Sequence, residues 1–129
     1  MFFKIDLANG LAIYQQVVRQ VKYAIAGGVL KAGELVPSVR ELSRELAINP
    51  NTVARAFRQL QADGVLESVR GMGLQVALGA QQQCCDERVE LIRQRLQQVL
   101  LEAKQSRLEA ADLRALVDGE LAAIEQLEV

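Results

Sequence analysis

The stretch from Pro37 to Val76 constrains this chain most, because its punctuation and periodicity divide it into a helix, a tight turn, a second helix and a two-stranded ribbon. Ser38-Val39-Arg40-Glu41 is a capping box, in which the serine hydroxyl and the glutamate three residues on satisfy amide groups left open at a helix start. A helix is therefore expected from about Val39 to near Ala47, with Val39, Leu42 and Leu46 on its buried face and Arg40, Glu41, Arg44 and Glu45 in water. Asn49-Pro50 opens the second helix, since asparagine caps and proline at the first helical position loses no needed hydrogen bond. Gly64 closes it.

Val53, Ala56, Phe57 and Leu60 recur at helical spacing, and a turn of about 100° per residue sets Asn51, Arg55 and Arg58 in a narrow arc opposite them. The first turn of such a helix suits the major groove, where arginine pairs with guanine edges and asparagine with adenine edges. An amphipathic surface helix with a merely solvated polar face would carry the same stripe, so the context decides. After Gly64 the period changes: Val65 to Val69 reads as a strand, Arg70-Gly71-Met72-Gly73 as a turn, and Leu74, Val76 and Leu78 alternate with Gln75 and Ala77. The glycines permit close approach to a duplex and Arg70 can meet a phosphate or the minor groove. Helix, turn, helix and basic hairpin in this order make a winged helix-turn-helix.

Several motifs stand in register with a known family: Ala12-Ile13-Tyr14-Gln15-Gln16, Leu30-Lys31-Ala32-Gly33-Glu34, Val36 to Leu42, Asn49-Pro50-Asn51-Thr52-Val53 and Arg70-Gly71-Met72-Gly73. Over residues 3–78 the chain resembles GntR-family transcription regulators, and the Asn-Pro-Asn-Thr-Val run with a short tail resembles the YtrA-like subfamily. The resemblance implies double-stranded DNA as partner, no enzyme activity and no cofactor. It implies DNA contacts by Arg40, Asn49, Asn51, Thr52, Arg55, Arg70 and Gly71; Ser38 and Arg58 join the candidate set by position. The chain departs from the family at Ala12 and Ala32, where proline is usual, at Pro50, where other branches carry arginine, and at Met72, Leu74 and Gln75 of the wing.

Net charge is −1, but residues 1–80 carry nine Lys/Arg against six Asp/Glu while residues 81–129 carry six against ten. The winged helix is thus at +3 and the remainder at −4, so one copy alone should bind DNA weakly. With 129 residues the chain suits one modest core and a helical appendage. No apolar run approaches a membrane span and Met1 to Asp6 lacks a signal-peptide core, so a cytoplasmic location is expected.

Phe3 and Ile5 suggest a short opening strand, and Asn9-Gly10 a turn before a helix from about Leu11 to Ala26 that buries Ile13, Val17, Val21 and Ile25. Tyr14 reads as a buried or half-buried scaffold ring. Ala80-Gln81-Gln82-Gln83 reads as a polar linker, followed by a helix from about Asp86 to Gln105 and, after a second capping box at Ser106 to Glu109, another helix that Asp118-Gly119 weakens. Val89, Ile92, Leu96 and Val99 form one apolar seam; Leu113, Leu116, Val117 and Ile124 form the other. Such a hairpin carries more apolar surface than it can bury on itself, which points to a homodimer; folding back onto its own winged helix is the alternative. The expected architecture is mainly α with a small β-hairpin: a winged helix-turn-helix over residues 1–79 and a C-terminal two-helix dimerisation hairpin over residues 80–129.

Cys84-Cys85 forms neither a disulfide framework nor a metal site, and with no histidine in the chain catalysis has no imidazole base. The pair reads as inert thiols or as a thiol switch at the hinge. Three functions fit these features: a dimeric sequence-specific regulator, probed by steep salt dependence; a winged helix used for protein contact; and a small-molecule sensor with a pocket at the dimer interface. Larger members of the family carry an effector domain that the 49 residues past position 80 cannot accommodate.

Overall fold

The computed structural model describes Ile5 and residues 10–127. In chain order these form α1 (Ile13–Ala26), α2 (Val39–Leu46), α3 (Pro50–Ala62), β1 (Leu66–Val69), β2 (Gly73–Val76), α4 (Ala80–Gln105) and α5 (Ala110–Leu127). Of the opening strand expected at Phe3 and Ile5, Phe3 lies outside the described residues, as does the turn residue Asn9, while Ile5 belongs to no strand and packs on the core.

Local chemistry accounts for most of the element limits. The Ser38 hydroxyl accepts the Glu41 N–H at 3.1 Å and the Ser38 N–H is donated to Glu41 Oε1 at 3.3 Å, closing the capping box of α2. Asn49 Oδ1 accepts the Asn51 N–H at 2.8 Å at the start of α3. Helices α1 to α4 end alike, each with an N–H reaching back over the last turn: Val29 to Ala24, Ile48 to Ser43, Val65 to Leu60 and Leu108 to Ala103. The residue before each of these donors is left-handed; Gly28 and Gly64 adopt that backbone freely, whereas Ala47 (φ 55°) and Arg107 (φ 64°) hold it against their Cβ atoms.

The hairpin pairs Leu66 with Val76 and Val69 with Gly73, leaving Arg70-Gly71-Met72 as its tip. A third extended segment joins it: the Gly33 and Val36 N–H groups are donated to the Val76 and Leu74 carbonyls, and Leu35 bridges Gln75. The alternation expected to run through Leu78 stops earlier. Ala77 is buried and donates its N–H to Val65 O, Gly79 turns the chain into α4, and Leu78 is left 89% exposed.

By contacts the chain divides into two compact units, Met1–Val89 and Glu90–Val129, with the division inside α4. The first is organised around Val17, Val21, Ile25, Leu42, Val53, Phe57, Leu60, Val65, Leu66 and Val76. Residues Ala80 to Gln83 are the first turn of α4 and not a linker, because Ala80 and Cys84, one helical turn apart, are buried in that same core. Gln83 donates to the Asp63 carbonyl at 2.8 Å, and the Lys22 ammonium bridges Asp63 Oδ2 at 2.9 Å and Glu87 Oε2 at 2.8 Å. Burial disfavours the Lys22 charge, but its hydrogen bonds with Glu87 and Asp63 outweigh this and hold its pKa above the ordinary value.

Burial also pushes the Cys84 thiol up from 9.0 to about 11, with the Glu87 charge adding to the shift and Lys22 opposing it. At neutral pH this sulfur stays protonated, which makes it a poor nucleophile. Above pH 9.0 the unfolded chain releases a proton that the folded one keeps, so stability that is complete below pH 9.0 is lost as pH rises towards and through 11. The expected slope is about 1 kcal/mol per pH unit across that window, reduced in Cys84→Ala, as read by chemical denaturation at stepped pH. Lys22 adds a loss of the same sign above 10.5.

In the second unit the expected capping box at Ser106 does not form. Ser106 Oγ donates to the Ala103 carbonyl at 2.9 Å, so this serine belongs to the end of α4, and α5 starts only at Ala110. It then runs unbroken through Asp118-Gly119. No side chain of α5 is buried.

Candidate DNA interface

Helix α3 packs between α1 and α2 through Val53, Ala56, Phe57 and Leu60, all buried. That fixes its rotation. At about 100° per residue, Asn51, Arg55 and Arg58 then span roughly 60° on the opposite side, and all three are exposed. Thr52 flanks the arc and is half-buried. Asn49 has its carboxamide oxygen committed to the cap of α3, which leaves its NH2 group to act outward.

Arg40 lies in the first turn of α2, exposed, beside the Ser38-Glu41 capping box. The Ser38 oxygen already accepts the Glu41 N–H, but its O–H remains a donor. Across the hairpin, Gln75 Nε2 donates to Glu67 Oε1 at 2.7 Å in a direct cross-strand pair. This holds the one carboxylate of the hairpin to its strand, away from the tip. At that tip Arg70 and Gly71 are exposed, Gly71 with φ 78° and Gly73 with φ 115°, so the backbone folds tightly behind the arginine. A groove of about 600 Å³ opens between the tip and the start of α2, lined by Leu35, Pro37, Phe57, Met72 and Leu74 among others.

One residue of this region was not evident as functional in the sequence. The Arg55 guanidinium lies over the Tyr14 ring of α1, with Cζ 3.8 Å from the ring centroid. The heptad-like stripe of α1 places Tyr14 beside the core, but only packing of α1 on α3 brings it to the arginine. Among the described residues no group of three His, Cys, Asp or Glu side chains converges as a metal site would need. No described helix is long and apolar enough to cross a membrane.

A capped helix-turn-helix with an outward cationic and amide face, followed by a basic hairpin, defines a winged-helix DNA-binding domain. Residues 13–76 match the family described as bacterial regulatory proteins, gntR family. The chain belongs to this GntR family of DNA-binding transcription regulators. It is 32% identical over 110 residues, 85% of each chain, to the HTH-type transcriptional repressor YtrA of Bacillus subtilis (strain 168). The crystal structure of a transcriptional regulator from Oenococcus oeni superposes with a TM-score of 0.72 at 28% identity, covering 93% of this chain and 99% of that one. The DNA-binding domain of AraR in complex with operator ORX1 gives a TM-score of 0.51 at 27% identity, covering 60% of this chain and 93% of that one.

Proposed function

We propose that this protein is a cytoplasmic homodimeric repressor that binds an inverted-repeat operator and blocks transcription by occupying it. The exposed arc of Asn51, Arg55 and Arg58 opposite a buried stripe carries this reading, since a merely solvated face has no need to gather two cations and an amide at a helix start. In it, Asn51 and Arg55 read base edges. Ser38, Arg40, Asn49, Thr52, Arg58, Arg70 and the Gly71 backbone hold phosphate and fix the register. Kinship with a protein named a repressor supports the direction of regulation, and operator binding by AraR supports the partner.

The dimer is inferred from the apolar side chains that α4 and α5 leave exposed. Val89, Ile92, Leu96, Val99, Leu116, Val117 and Ile124 are each more than 40% exposed in the single chain, and Leu113 is half-buried. Apolar side chains at helical spacing along both helices of a hairpin are what a second copy would cover.

Anisotropy titrations with an inverted-repeat duplex and a scrambled one, between 50 and 200 mM salt, test the reading. Affinity should fall steeply with salt on both duplexes. Arg40→Ala and Arg70→Ala should weaken both alike and reduce the salt slope by about one per protomer. A salt-independent association would instead favour a protein-docking role for the winged helix, and a loss confined to the cognate duplex would reassign the mutated arginine to base reading.

A further inference from the structure

We infer that Tyr14 is a specificity-determining positioning residue, whose ring holds the Arg55 guanidinium ready for a base edge before DNA arrives. This rests on Arg55 acting as a base reader. Arginine uses its planar N–H edge to pair with guanine, whereas its face is free to stack. The ring meets the guanidinium with Cζ 3.8 Å from its centroid, a contact that uses no hydrogen-bond acceptor. Among the described residues the ion pairs involve Lys22 and Arg93, not Arg55.

The two partners sit on elements of unequal freedom. Tyr14 is half-buried at the start of α1, next to Val17 and Val21 in the core stripe, so its ring is fixed by packing. Arg55 is exposed on α3 and would otherwise sample many rotamers, each lost on binding. Stacking removes that freedom in the unbound protein, so less ordering remains when the base pair is met. A ring on α1 thereby tunes a contact made by α3, which explains why an aromatic residue sits at the second position of a helix whose neighbouring turns serve the core.

The test is a double-mutant cycle in the full-length protein, reading the ratio of cognate to scrambled affinity. Tyr14→Leu should lower that ratio by about two- to five-fold, the range of an exposed cation–π contact. Tyr14→Phe, which keeps the ring, should stay within about two-fold of wild type. In an Arg55→Ala background, Tyr14→Leu should change nothing further. Pentafluorophenylalanine at position 14 keeps the apolar volume while reversing the ring quadrupole, and it should behave as leucine does; this also covers the case in which Tyr14→Leu fails to fold. Additive losses in the double mutant would overturn the inference, as would an equal loss on both duplexes or a Phe variant as weak as Leu. If the wild-type protein itself shows no preference between duplexes, or Arg55→Ala leaves that preference intact, base reading by Arg55 falls and this inference with it.

Discussion

A chain ending at Val89 is expected to fold, to sediment as a monomer and to bind the operator about 10²–10⁴-fold more weakly than the full protein. Folding is expected because the buried cluster of the first unit is complete by Cys84, and the Lys22 bridge to Asp63 and Glu87 is retained. The cut belongs there and not at Gly79. A chain ending at Gly79 would lose Ala80 and Cys84 from the core, Gln83 from the Asp63 carbonyl and Glu87 from Lys22, and should be markedly less stable. The affinity loss follows from linkage: in a dimer the second winged helix meets its half-site as an intramolecular event, and one copy cut at Val89, with ten Lys/Arg against eight Asp/Glu and so a charge of only +2, has no such aid. Sedimentation velocity paired with titration of one duplex checks both halves. Glutamate at Ile92, Leu96 and Ile124 in the full-length chain should reproduce the monomer without shortening it. A dimer persisting in the chain cut at Val89 would remove the dimerisation role from α4 and α5, and a monomer with undiminished affinity would remove linkage as the source of operator affinity.

How far such features can be read from sequence depends on how local their physics is. The start of α2 is fixed by Ser38 and Glu41 three residues apart, and α3 by Asn49-Pro50 and Gly64, so both helices were legible within a residue. The same Ser-x-x-Glu spacing at Ser106 misleads, because the hydroxyl there serves the preceding helix and Arg107 takes a left-handed backbone that its sequence does not advertise. Ala80 and Cys84 look like linker residues among glutamines until the core that receives them is built. Backbone pairing of residues 33–36 with β2 leaves no side-chain signature at all. For the candidate site, the arc of α3 was legible from its period alone. The stacking of Arg55 on Tyr14 was not, since the two residues are brought together only by the packing of α1 against α3.

Asn51→Ala and Arg55→Ala should each cost about 1–3 kcal/mol on the operator and far less on random duplex, so that the cognate preference shrinks by about 5- to 150-fold per change. The selectivity follows from what each group can do. Phosphate neutralisation is indifferent to sequence, whereas a bidentate pair from a carboxamide to adenine or from a guanidinium to guanine is satisfied by one base and leaves donors stranded against the others. Both side chains are exposed on the face opposite Val53, Ala56, Phe57 and Leu60, so removing them should leave the core and the thermal midpoint close to wild type. Arg58 lies on the same arc, about two turns past Asn51 and one past Arg55, where a backbone phosphate is the expected partner; Arg58→Ala should therefore weaken both duplexes in proportion. Titrating the three variants against a set of duplexes with single base-pair changes in each half-site assigns the readers position by position. A variant that reads bases should become blind to changes at one position and keep its sensitivity elsewhere. If Asn51→Ala or Arg55→Ala retains the full wild-type pattern of sensitivities while folded, that side chain does not read the operator.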